Sequence, residues 1–409
     1  MARIEQFAAL APTRVAFSDE DLSGRKLMVD LMQDAGLAVR IDPAGNLIGR
    51  MAGRNEGPAI LFGSHIDTVR NGGKYDGVLG SVAGLECIAT LRECEHITNH
   101  PLELVIFASE EGQEFAPLYG SRSMVGALKS DEFRMTNRSG TTLAKAVAYV
   151  GGDSSRIQNA LRSPEEIHSF LELHIEQGPN LDRLRIPIGV VNGISGVLHI
   201  EVHIKGTAAH SGTTSMEFRH DALVAAAALV VATEETAHRK KLCHVATIGE
   251  LTATPNSANI IPGAVDLILE LRDLDTRNMA RAYEHLRQTA ANIEAATGTS
   301  FEFRQRVLIE PVPSHESVLE AITASCDDLG LRYHRMASGA GHDAQIMARI
   351  APTGMIFVPS VNGVSHSELE FTSAENCGLG ANVLLRAILK LDDLSHVRRT
   401  QEASERARA

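Results

Sequence analysis

The sequence has few cysteines, a deficit of positive charge and no long apolar run. Its five cysteines form no CxxC pair, and such an odd, scattered set is typical of reduced, mostly buried thiols. Lys and Arg number 39 against 51 Asp and Glu, so the formal charge of −12 argues against nucleic-acid or anionic-membrane partners. No apolar run could cross a bilayer, and the N-terminal segment lacks the apolar stretch of an export signal. We therefore expect a cytoplasmic protein with small-molecule or protein partners.

Composition and length predict a folded protein with two domains. Hydrophobic residues make up 44% and charged residues 22% of the chain, which excludes a disordered or collagen-like polymer, and 409 residues exceed the usual size of one core. Early in the chain, apolar runs at residues 59–64, 102–109 and 170–175 alternate with segments of helical period such as residues 78–94. This pattern predicts an α/β domain with a mixed, mainly parallel sheet and helices on both faces.

The pattern changes in the middle of the chain. Apolar and polar residues alternate with period two at residues 197–205 and 264–273, which predicts half-buried antiparallel strands. Two helices are predicted at residues 216–238 and 276–296, and a further strand at residues 301–308. The resulting order of strand, helix, strand, strand, helix, strand resembles an inserted ferredoxin-like α+β module.

After the turn-rich segment EPVPSH, the mixed α/β pattern resumes. Helices are predicted at residues 317–329 and 342–350, followed by the strand TGMIFVP. The first domain is therefore predicted to be discontinuous, formed by residues 1–193 and 314–409 and interrupted by the module at residues 194–313. The charged C-terminal segment RRTQEASERARA is expected to be solvated.

Histidine, aspartate and glutamate concentrate in five short segments at or just past the carboxyl ends of predicted strands, where open α/β sheets bind ligands. The segments are GSHIDTV, GGKYDG, ASEEG, LELHIEQG and GVSHSE. The candidate metal ligands in them are His65, Asp76, Glu111, His174 and His366. Three imidazoles with carboxylates, and without a thiolate, suit two divalent ions per subunit, with Zn or Mn as the first choice and Co or Ni as alternatives.

A chemically complete arrangement assigns each ligand to one ion or to both. His65 and His174 bind one ion, Glu111 and His366 bind the other, and Asp76 bridges the two as a shared carboxylate. Each ion then keeps an open position. Two such ions hold a bridging water, lower its pKa and polarise a carbonyl group, so the set predicts hydrolysis at an acyl-type carbon.

Two further acids accompany the predicted ligands. Asp67 follows His65 by two residues, and we expect its carboxylate to lie on the same side and to fix the imidazole tautomer. Adjacent side chains on a strand point in opposite directions, so only a bend would bring one of Glu110 and Glu111 to metal and the other to water. Glu110 is predicted to be the general base. For any one of these residues alone, a hydrogen-bonded or surface position is the alternative.

From GNLIGR to GVSHSELE, the chain resembles the amidase, hydantoinase and carbamoylase branch of the aminoacylase and carboxypeptidase-like metallohydrolases. The resemblance rests on GSHIDTVRNGGKYDG, SEEG, HIEQGP, AAHSGTT, PNSANIIPG, LELRDLD and SGAGHDAQ, in that order. It implies a catalytic domain interrupted by a lid that forms a homodimer, which would be residues 194–313. The peptidase branch usually has a second acidic or amide residue after the bridging Asp, where this chain has Gly77, and an acidic ligand where this chain has His174.

The resemblance also implies roles for two polar residues of the inserted module. His210 in AAHSG resembles the lid histidine that stabilises the tetrahedral oxyanion, either in its own subunit or across the dimer. A strand-end histidine without that role is the alternative. Arg272 in LELRDLD resembles the arginine that grips the substrate α-carboxylate, and its forked guanidinium suits such bidentate recognition. Pairing with Asp273 or Asp275 at a solvated strand end is the alternative.

Further residues resemble parts of the substrate site. Asn259 and Gln177 resemble the amide side chains that hold the carboxylate and the carbamoyl group, although Asn259 also suits an ordinary turn. Gly339 and Gly341 resemble a close approach of the backbone to the ligand, with glycines in a helix-entry turn as the alternative. One departure stands out. The segment EEGQEFAP has Glu114 before Phe, where many relatives have an arginine, so the charge near the site differs.

These features favour a metal-dependent hydrolase acting on a small carboxylate that carries a ureido or amide group. The first expectation is hydrolysis of an N-carbamoyl-L-amino acid to the L-amino acid, carbon dioxide and ammonia. Allantoate or ureidoglycolate amidohydrolysis is the alternative within the same mechanism. A dipeptidase or N-acyl amino acid hydrolase comes next, although His174 and Gln177 argue against it. A catalytically silent metal-binding scaffold is the remaining alternative, and the presence of Glu110 and every predicted ligand opposes it.

Overall fold

The computed structural model describes the backbone of residues 1–406 and the side chains of residues 1–393. The chain divides into two compact units, Met1–Gly193 with Ser314–Ala409, and Ile194–Pro313. The side chains of the charged segment RRTQEASERARA, expected to be solvated, lie outside the described residues. Among the residues that are described, no helix combines the length and the apolarity needed to span a membrane.

The elements are numbered in chain order. The strands are β1 Ala38–Ile41, β2 Leu47–Met51, β3 Ala59–His65, β4 Leu102–Phe107, β5 Ile167–Ile175, β6 Ile188–Ile194, β7 Gly196–Lys205, β8 Ala209–His210, β9 Val245–Thr254, β10 Ile260–Ile261, β11 Ala264–Asp273, β12 Ser300–Ile309, β13 Val312–Pro313, β14 Tyr333–Ser338 and β15 Thr353–Val358. The helices are α1 Ala2–Leu10, α2 Asp19–Asp34, α3 Val78–Glu93, α4 Tyr119–Met124, α5 Leu143–Tyr149, α6 Asn180–Leu184, α7 Ala222–His238, α8 Thr276–Thr297, α9 Glu316–Asp328, α10 Asp343–Met347 and α11 Ala374–Arg406.

The first unit is built on a mixed sheet. Its strand order is β1-β2-β4-β3-β5-β15-β6, and β14 also pairs with β6. The central strands β4, β3, β5 and β15 run parallel, whereas β1, β2 and β6 are antiparallel to their neighbours. The carboxyl ends of parallel strands lie at the same edge of a sheet, and ligands bind at this edge in open α/β folds. The predicted α/β class, with a mixed, mostly parallel sheet, is confirmed.

The central strands are buried on both faces. Every residue of β3 and β4 is buried, which explains their continuous apolar sequence. Ile60 and Phe62 belong to the main core, together with residues of α3, α9 and α11. Phe107 and Phe170 are also buried and meet edge to face, with ring centroids 5.7 Å apart. The strands therefore present their carboxyl ends from a rigid, fully packed layer.

The second unit is a four-stranded antiparallel sheet with strand order β12-β7-β11-β9. Alternate residues of β7, such as Ile200 and Val202, are buried in a core that also contains residues of α7 and α8. The element order β7-α7-β9-β11-α8-β12 is the strand and helix order expected of the inserted module. A separate two-stranded ribbon pairs β8 with β10, with His210 opposite Ile260.

Two helices are shorter than the sequence pattern predicted. The helix expected at residues 216–238 starts only at α7, because the Asp221 side chain accepts N–H groups of its first turn and caps it. The helix expected at residues 342–350 is limited to α10. The N–H group of Ile350 bonds to the carbonyl oxygen three residues back, so the chain tightens there and leaves the α-helical path.

Candidate active site

Strands β3 and β5 place two histidine side chains next to each other. His65 and His174 are buried, and their ring centroids are 5.9 Å apart. Nδ1 of His65 lies 2.9 Å from the carbonyl oxygen of Asp67, and Nδ1 of His174 lies 2.9 Å from that of Ile175. Because a carbonyl oxygen only accepts hydrogen bonds, each Nδ1 carries a proton and donates a hydrogen bond to it. In the neutral rings, both Nε2 atoms then present a lone pair.

Asp76 connects two sets of ligand atoms. Its Oδ1 lies 3.1 Å from Nε2 of His174 and 3.6 Å from Nε2 of His65. Its Oδ2 lies 3.3 Å from Nε2 of His366, which in turn is 3.6 Å from Oε2 of Glu111. The sets His65–Asp76–His174 and Asp76–Glu111–His366 each place their ligand atoms within 4.8 Å of one another. The structure therefore brings the five candidate ligands together, with Asp76 in both sets.

A backbone turn lets two adjacent glutamates reach this cluster. Strand β4 ends before Ser109, whose φ of 54° places it in the left-handed region. Glu110 and Glu111 lie beyond this turn, and each offers a carboxylate oxygen within 4.8 Å of a His65 nitrogen and of the other glutamate. The alternation of a regular strand does not apply here. Strained backbone of this kind is common where active-site residues must be aimed.

Asp67 acts on the main chain of that turn. Its two carboxylate oxygens accept the N–H groups of Glu110 and Glu111, each at 3.2 Å. The same carboxylate is 3.9 Å from Nδ1 of His65, which is bonded instead to the Asp67 carbonyl oxygen. The structure corrects the expected contact: the main chain of Asp67 orients the imidazole, and its carboxylate holds the two glutamates.

The residue after Asp76 is a glycine for a steric reason. Gly77 has a φ of 64°, a conformation that glycine adopts without strain. A Cβ atom at this position would lie 2.4 Å from the imidazole of His65. Any larger side chain at position 77 would therefore displace the imidazole of His65.

The electrostatics of the cluster favour cations. Burial, followed by the Asp76 carboxylate, raises the pKa of Glu111 to about 8. Burial and the neighbouring Asp343 raise the pKa of Glu110 well above its ordinary value. Burial disfavours the charged form of His174, yet Asp76 raises the pKa of that ring to about 9. Crowded buried carboxylates beside imidazole nitrogens form a donor set that fits two divalent metal ions.

Gln177 and the two glycines lie in the same unit as the cluster. Nε2 of Gln177 donates to Oδ2 of Asp76 at 2.8 Å, while its buried Oε1 has no hydrogen-bond partner among the described residues. A Cβ atom on Gly339 would meet no described atom within 4 Å, and one on Gly341 would meet the Gln345 side chain at 3.4 Å. Protein packing alone does not require glycine at either position.

His210 and Asn259 are neighbours in the second unit. His210 ends β8 and Asn259 directly precedes β10, and the N–H group of Ser211 donates to the carbonyl oxygen of Asn259 at 3.0 Å. The side-chain oxygen of Asn259 accepts the hydroxyl of Ser257 at 2.9 Å. The main chain therefore brings His210 and Asn259 to neighbouring positions of the second unit.

Arg272 lies near the end of β11 and forms a two-point ion pair. Its Nε is 2.8 Å from Oε1 of Glu270, and its Nη2 is 3.1 Å from Oε2 of the same residue. Glu270 also contacts Nε2 of His199 at 2.6 Å. This carboxylate partner was not among those considered from the sequence. The pairing holds the guanidinium plane in a fixed orientation.

Glu114, the acidic departure near the site, has a cationic partner. The guanidinium of Arg70 forms an ion pair with the Glu114 carboxylate, whose side chain is 11% exposed. The negative charge that replaces the arginine of many relatives is thus balanced from the segment after Asp67.

Sequence reasoning missed three polar residues around the cluster: Glu172, Ser365 and Glu370. Glu172 accepts the hydroxyl of Ser64 at 2.7 Å and the N–H group of Ala344 at 2.9 Å. A signal for it existed, because it precedes His174 by two residues on a strand and so shares its face. Ser365 and Glu370 occur in the segment GVSHSELE, but no sequence pattern indicates which residues they contact.

Fold and site together define a hydrolase of the dinuclear metal-dependent type. The model of Peptidase family M20/M25/M40 matches residues 61–390, and the chain belongs to this family. It is 38% identical over 381 residues to an N-carbamoyl-L-amino acid amidohydrolase of Geobacillus stearothermophilus, covering 93% of each chain. It is 34% identical to an allantoate amidohydrolase of Bacillus subtilis, over 93% of this chain and 92% of that one.

Solved structures lead to the same group. A hydantoinase/carbamoylase family amidase from Burkholderia ambifaria matches with a TM-score of 0.90 and 32% identity, covering 96% of both chains. The resemblance to the amidase, hydantoinase and carbamoylase branch is confirmed.

Proposed function

We propose that this protein hydrolyses a linear carbon–nitrogen bond in a small carboxylate with a ureido group, and that its substrate is an N-carbamoyl-L-amino acid. One observation carries the proposal: two sets of His and carboxylate ligands share Asp76 and lie beside a further buried acid, Glu110. The Geobacillus stearothermophilus relative, named for this activity, adds support. In this proposal, residues 1–193 and 314–409 form the metal-binding catalytic domain and residues 194–313 the lid and dimerisation domain.

The two ligand sets would each hold one ion. His65 and His174 would bind the first, Glu111 and His366 the second, and Asp76 would bridge them. Zn or Mn suits this mixture of imidazole and carboxylate donors, with Co or Ni as alternatives. Bound ions of this kind polarise a carbonyl group and lower the pKa of water, which is the chemistry that amide hydrolysis needs.

Glu110 is the proposed general base. It is buried, and the Asp67 carboxylate holds its main-chain N–H group in place. Glu110 would take a proton from the attacking water and return it to the departing amino nitrogen. The ureido C–N bond breaks, one water is consumed, and the carbamate fragment decomposes to carbon dioxide and ammonia. The free L-amino acid is the remaining product.

Four residues are proposed to hold the substrate. Arg272 would grip the α-carboxylate with its guanidinium, assisted by the Asn259 amide. Gln177 would accept a ureido N–H group, and its buried, unpartnered Oε1 among the described residues supports this role. His210 would stabilise the oxyanion as it forms. Gly339 and Gly341 would let the main chain approach the ligand, where packing leaves a Cβ position open.

Allantoate or ureidoglycolate is the second candidate substrate. Relatives with these names share about a third of the sequence, including the Bacillus subtilis allantoate amidohydrolase and an Oryza sativa ureidoglycolate hydrolase at 34% identity each. Such substrates carry the same ureido group and carboxylate and differ beyond the α-carbon. The Arg70–Glu114 ion pair, in the segments next to the cluster, is the feature most relevant to that difference.

A substrate panel tests the proposal directly. The purified protein, loaded with Zn²⁺ or Mn²⁺, is assayed for ammonia release with N-carbamoyl-L-amino acids, allantoate and ureidoglycolate, and for acetate release with an N-acetyl amino acid. We expect the highest kcat/KM with an N-carbamoyl-L-amino acid. Turnover of only allantoate or ureidoglycolate would replace the first substrate by the second. No ammonia release from any ureido compound would contradict the proposed reaction.

Arg272→Lys tests the carboxylate grip. Lysine keeps the charge but loses the two-point contact, and one lost charge-assisted hydrogen bond corresponds to roughly a tenfold higher KM. We expect kcat to change less than KM, measured by steady-state kinetics. Arg277→Lys is the control, because Arg277 is exposed and paired with Asp275. An unchanged KM in Arg272→Lys would rule out this role.

A homodimer through the second unit completes the proposal. Helix α7 exposes large apolar side chains, with Leu223 40%, Val224 57% and Val231 60% exposed. Residues seven and eight apart lie on one side of a helix, so Leu223 and Val224 share a side with Val231 and form an apolar stripe suited to a second copy. We also propose a cytoplasmic location, supported by five free cysteines of which four are buried.

A further inference from the structure

A buried carboxylate holds the main chain that carries the bridging ligand. Glu370 follows His366 by four residues and is only 4% exposed. Its Oε1 accepts the N–H group of Tyr75 at 2.9 Å and the N–H group of Asp76 itself at 3.1 Å. The position of the Asp76 peptide therefore depends on a side chain 294 residues away in the chain.

Ser365 links the same carboxylate to the Asp76 side chain. Its hydroxyl oxygen is 3.1 Å from Oδ2 of Asp76 and 3.1 Å from Oε2 of Glu370. A hydroxyl has one proton, so Ser365 donates to one of these carboxylates at a time. The loop that carries His366 thus contacts both the main chain and the carboxylate of Asp76.

The two segments fit closely around this carboxylate. A Cβ atom on Gly73 would lie 2.1 Å from Oε1 of Glu370, so the chain before Asp76 passes directly over the carboxylate. The rings of Tyr75 and Phe371 meet edge to face, with centroids 6.0 Å apart. A carboxylate buried in this way needs hydrogen-bond donors, and the N–H groups of Tyr75 and Asp76 supply them. Little freedom remains for the Asp76 peptide.

We propose that Glu370 and Ser365 are positioning residues that orient Asp76 so that its two oxygens serve the two ligand sets at once. The inference rests on the proposed dinuclear site. Oδ1 of Asp76 faces His65 and His174, while Oδ2 faces His366. A small rotation of the carboxylate would therefore change the distances from its oxygens to the histidines of both sets. Partners that orient metal ligands typically change metal affinity by about 10- to 100-fold.

Glu370→Leu tests this inference. Leucine has a similar size but cannot accept the two N–H groups, so we expect binding of divalent ions to weaken by about 10- to 100-fold. Metal-free protein is titrated with Zn²⁺ or Mn²⁺ by calorimetry, and bound ions per chain are counted by elemental analysis. Glu370→Gln keeps an oxygen that can accept both N–H groups, and we expect it to retain most of the affinity.

Asp392→Leu is the matched control for a purely structural effect. Asp392 is also a buried acid of the first unit, and its carboxylate accepts the N–H groups of Asn99 and His100 at 2.8 Å each. Both leucine variants should lower the thermal stability of the protein. Only Glu370→Leu should weaken metal binding.

The outcomes separate this inference from the proposed function. Fewer than two ions on the wild-type chain would contradict the dinuclear site itself. Two ions on the wild-type, with equal affinity in Glu370→Leu or an equal loss in Asp392→Leu, would overturn the positioning role alone. Should Glu370→Leu fail to fold, Ser365→Ala takes its place in the titration, and wild-type affinity in that variant would overturn the role in the same way.

Discussion

Replacing Glu110 with glutamine should lower kcat by about 10²- to 10⁴-fold, because a positioned general base contributes rate enhancements of that size. Glutamine has nearly the shape of glutamate but cannot take the proton from water. Glu110 belongs to neither of the two sets that share Asp76, so we expect the variant to keep two bound ions. Its KM should change little. Steady-state kinetics and elemental analysis of the same preparation measure both quantities.

Glu103→Gln provides a matched control for this substitution. Glu103 is a buried glutamate of strand β4, the strand that leads to Glu110, and it pairs with Arg50 and Arg162. Its loss should reduce stability without changing kcat. Full turnover in Glu110→Gln would remove this residue from the mechanism. Loss of both ions together with activity would instead indicate that Glu110 binds metal.

The cluster of candidate ligands was accessible from the sequence because each of these residues lies in a short segment with a recognisable composition. His65 and His174 lie just past and at the carboxyl ends of two predicted strands, and parallel strands bring these ends together. The place of Asp76 in both ligand sets was predicted because two ions with these five ligands need one shared carboxylate. Strand and helix periodicity likewise predicted the α/β class and the element order of the second unit. This was possible because burial on one or both faces of an element determines the spacing of its apolar residues.

Other features depend on contacts that no local pattern encodes. The role of the Asp67 carboxylate required knowing that the chain turns at Ser109, where a left-handed residue interrupts the strand geometry. The start of α7 was set by the cap at Asp221 rather than by its apolar period. Glu370 escaped notice because its contact with Asp76 joins opposite ends of the chain. Short-range periodicity carries no information about such pairs.

Gly77 is a case in which the sequence shows a departure and the structure supplies its cause. With His65 in its present place, a Cβ atom on the residue after Asp76 would lie 2.4 Å from the imidazole. Gly77→Ala should therefore displace the imidazole, and a misplacement of about 1 Å in a catalytic site typically costs about 10²-fold in rate. We expect kcat/KM to fall by about that factor and metal affinity to fall with it.

Gly330→Ala separates this steric effect from backbone strain. Gly330 has a φ of 63°, almost the same as the 64° of Gly77, but a Cβ atom there would meet no described atom within 4 Å. Both alanine variants carry the cost of a left-handed conformation, about 1 kcal/mol. Only Gly77→Ala also meets the His65 ring. Equal metal affinity and equal kcat/KM in the two variants would show that Gly77 serves the turn alone, and that another constraint keeps an acidic side chain out of this position.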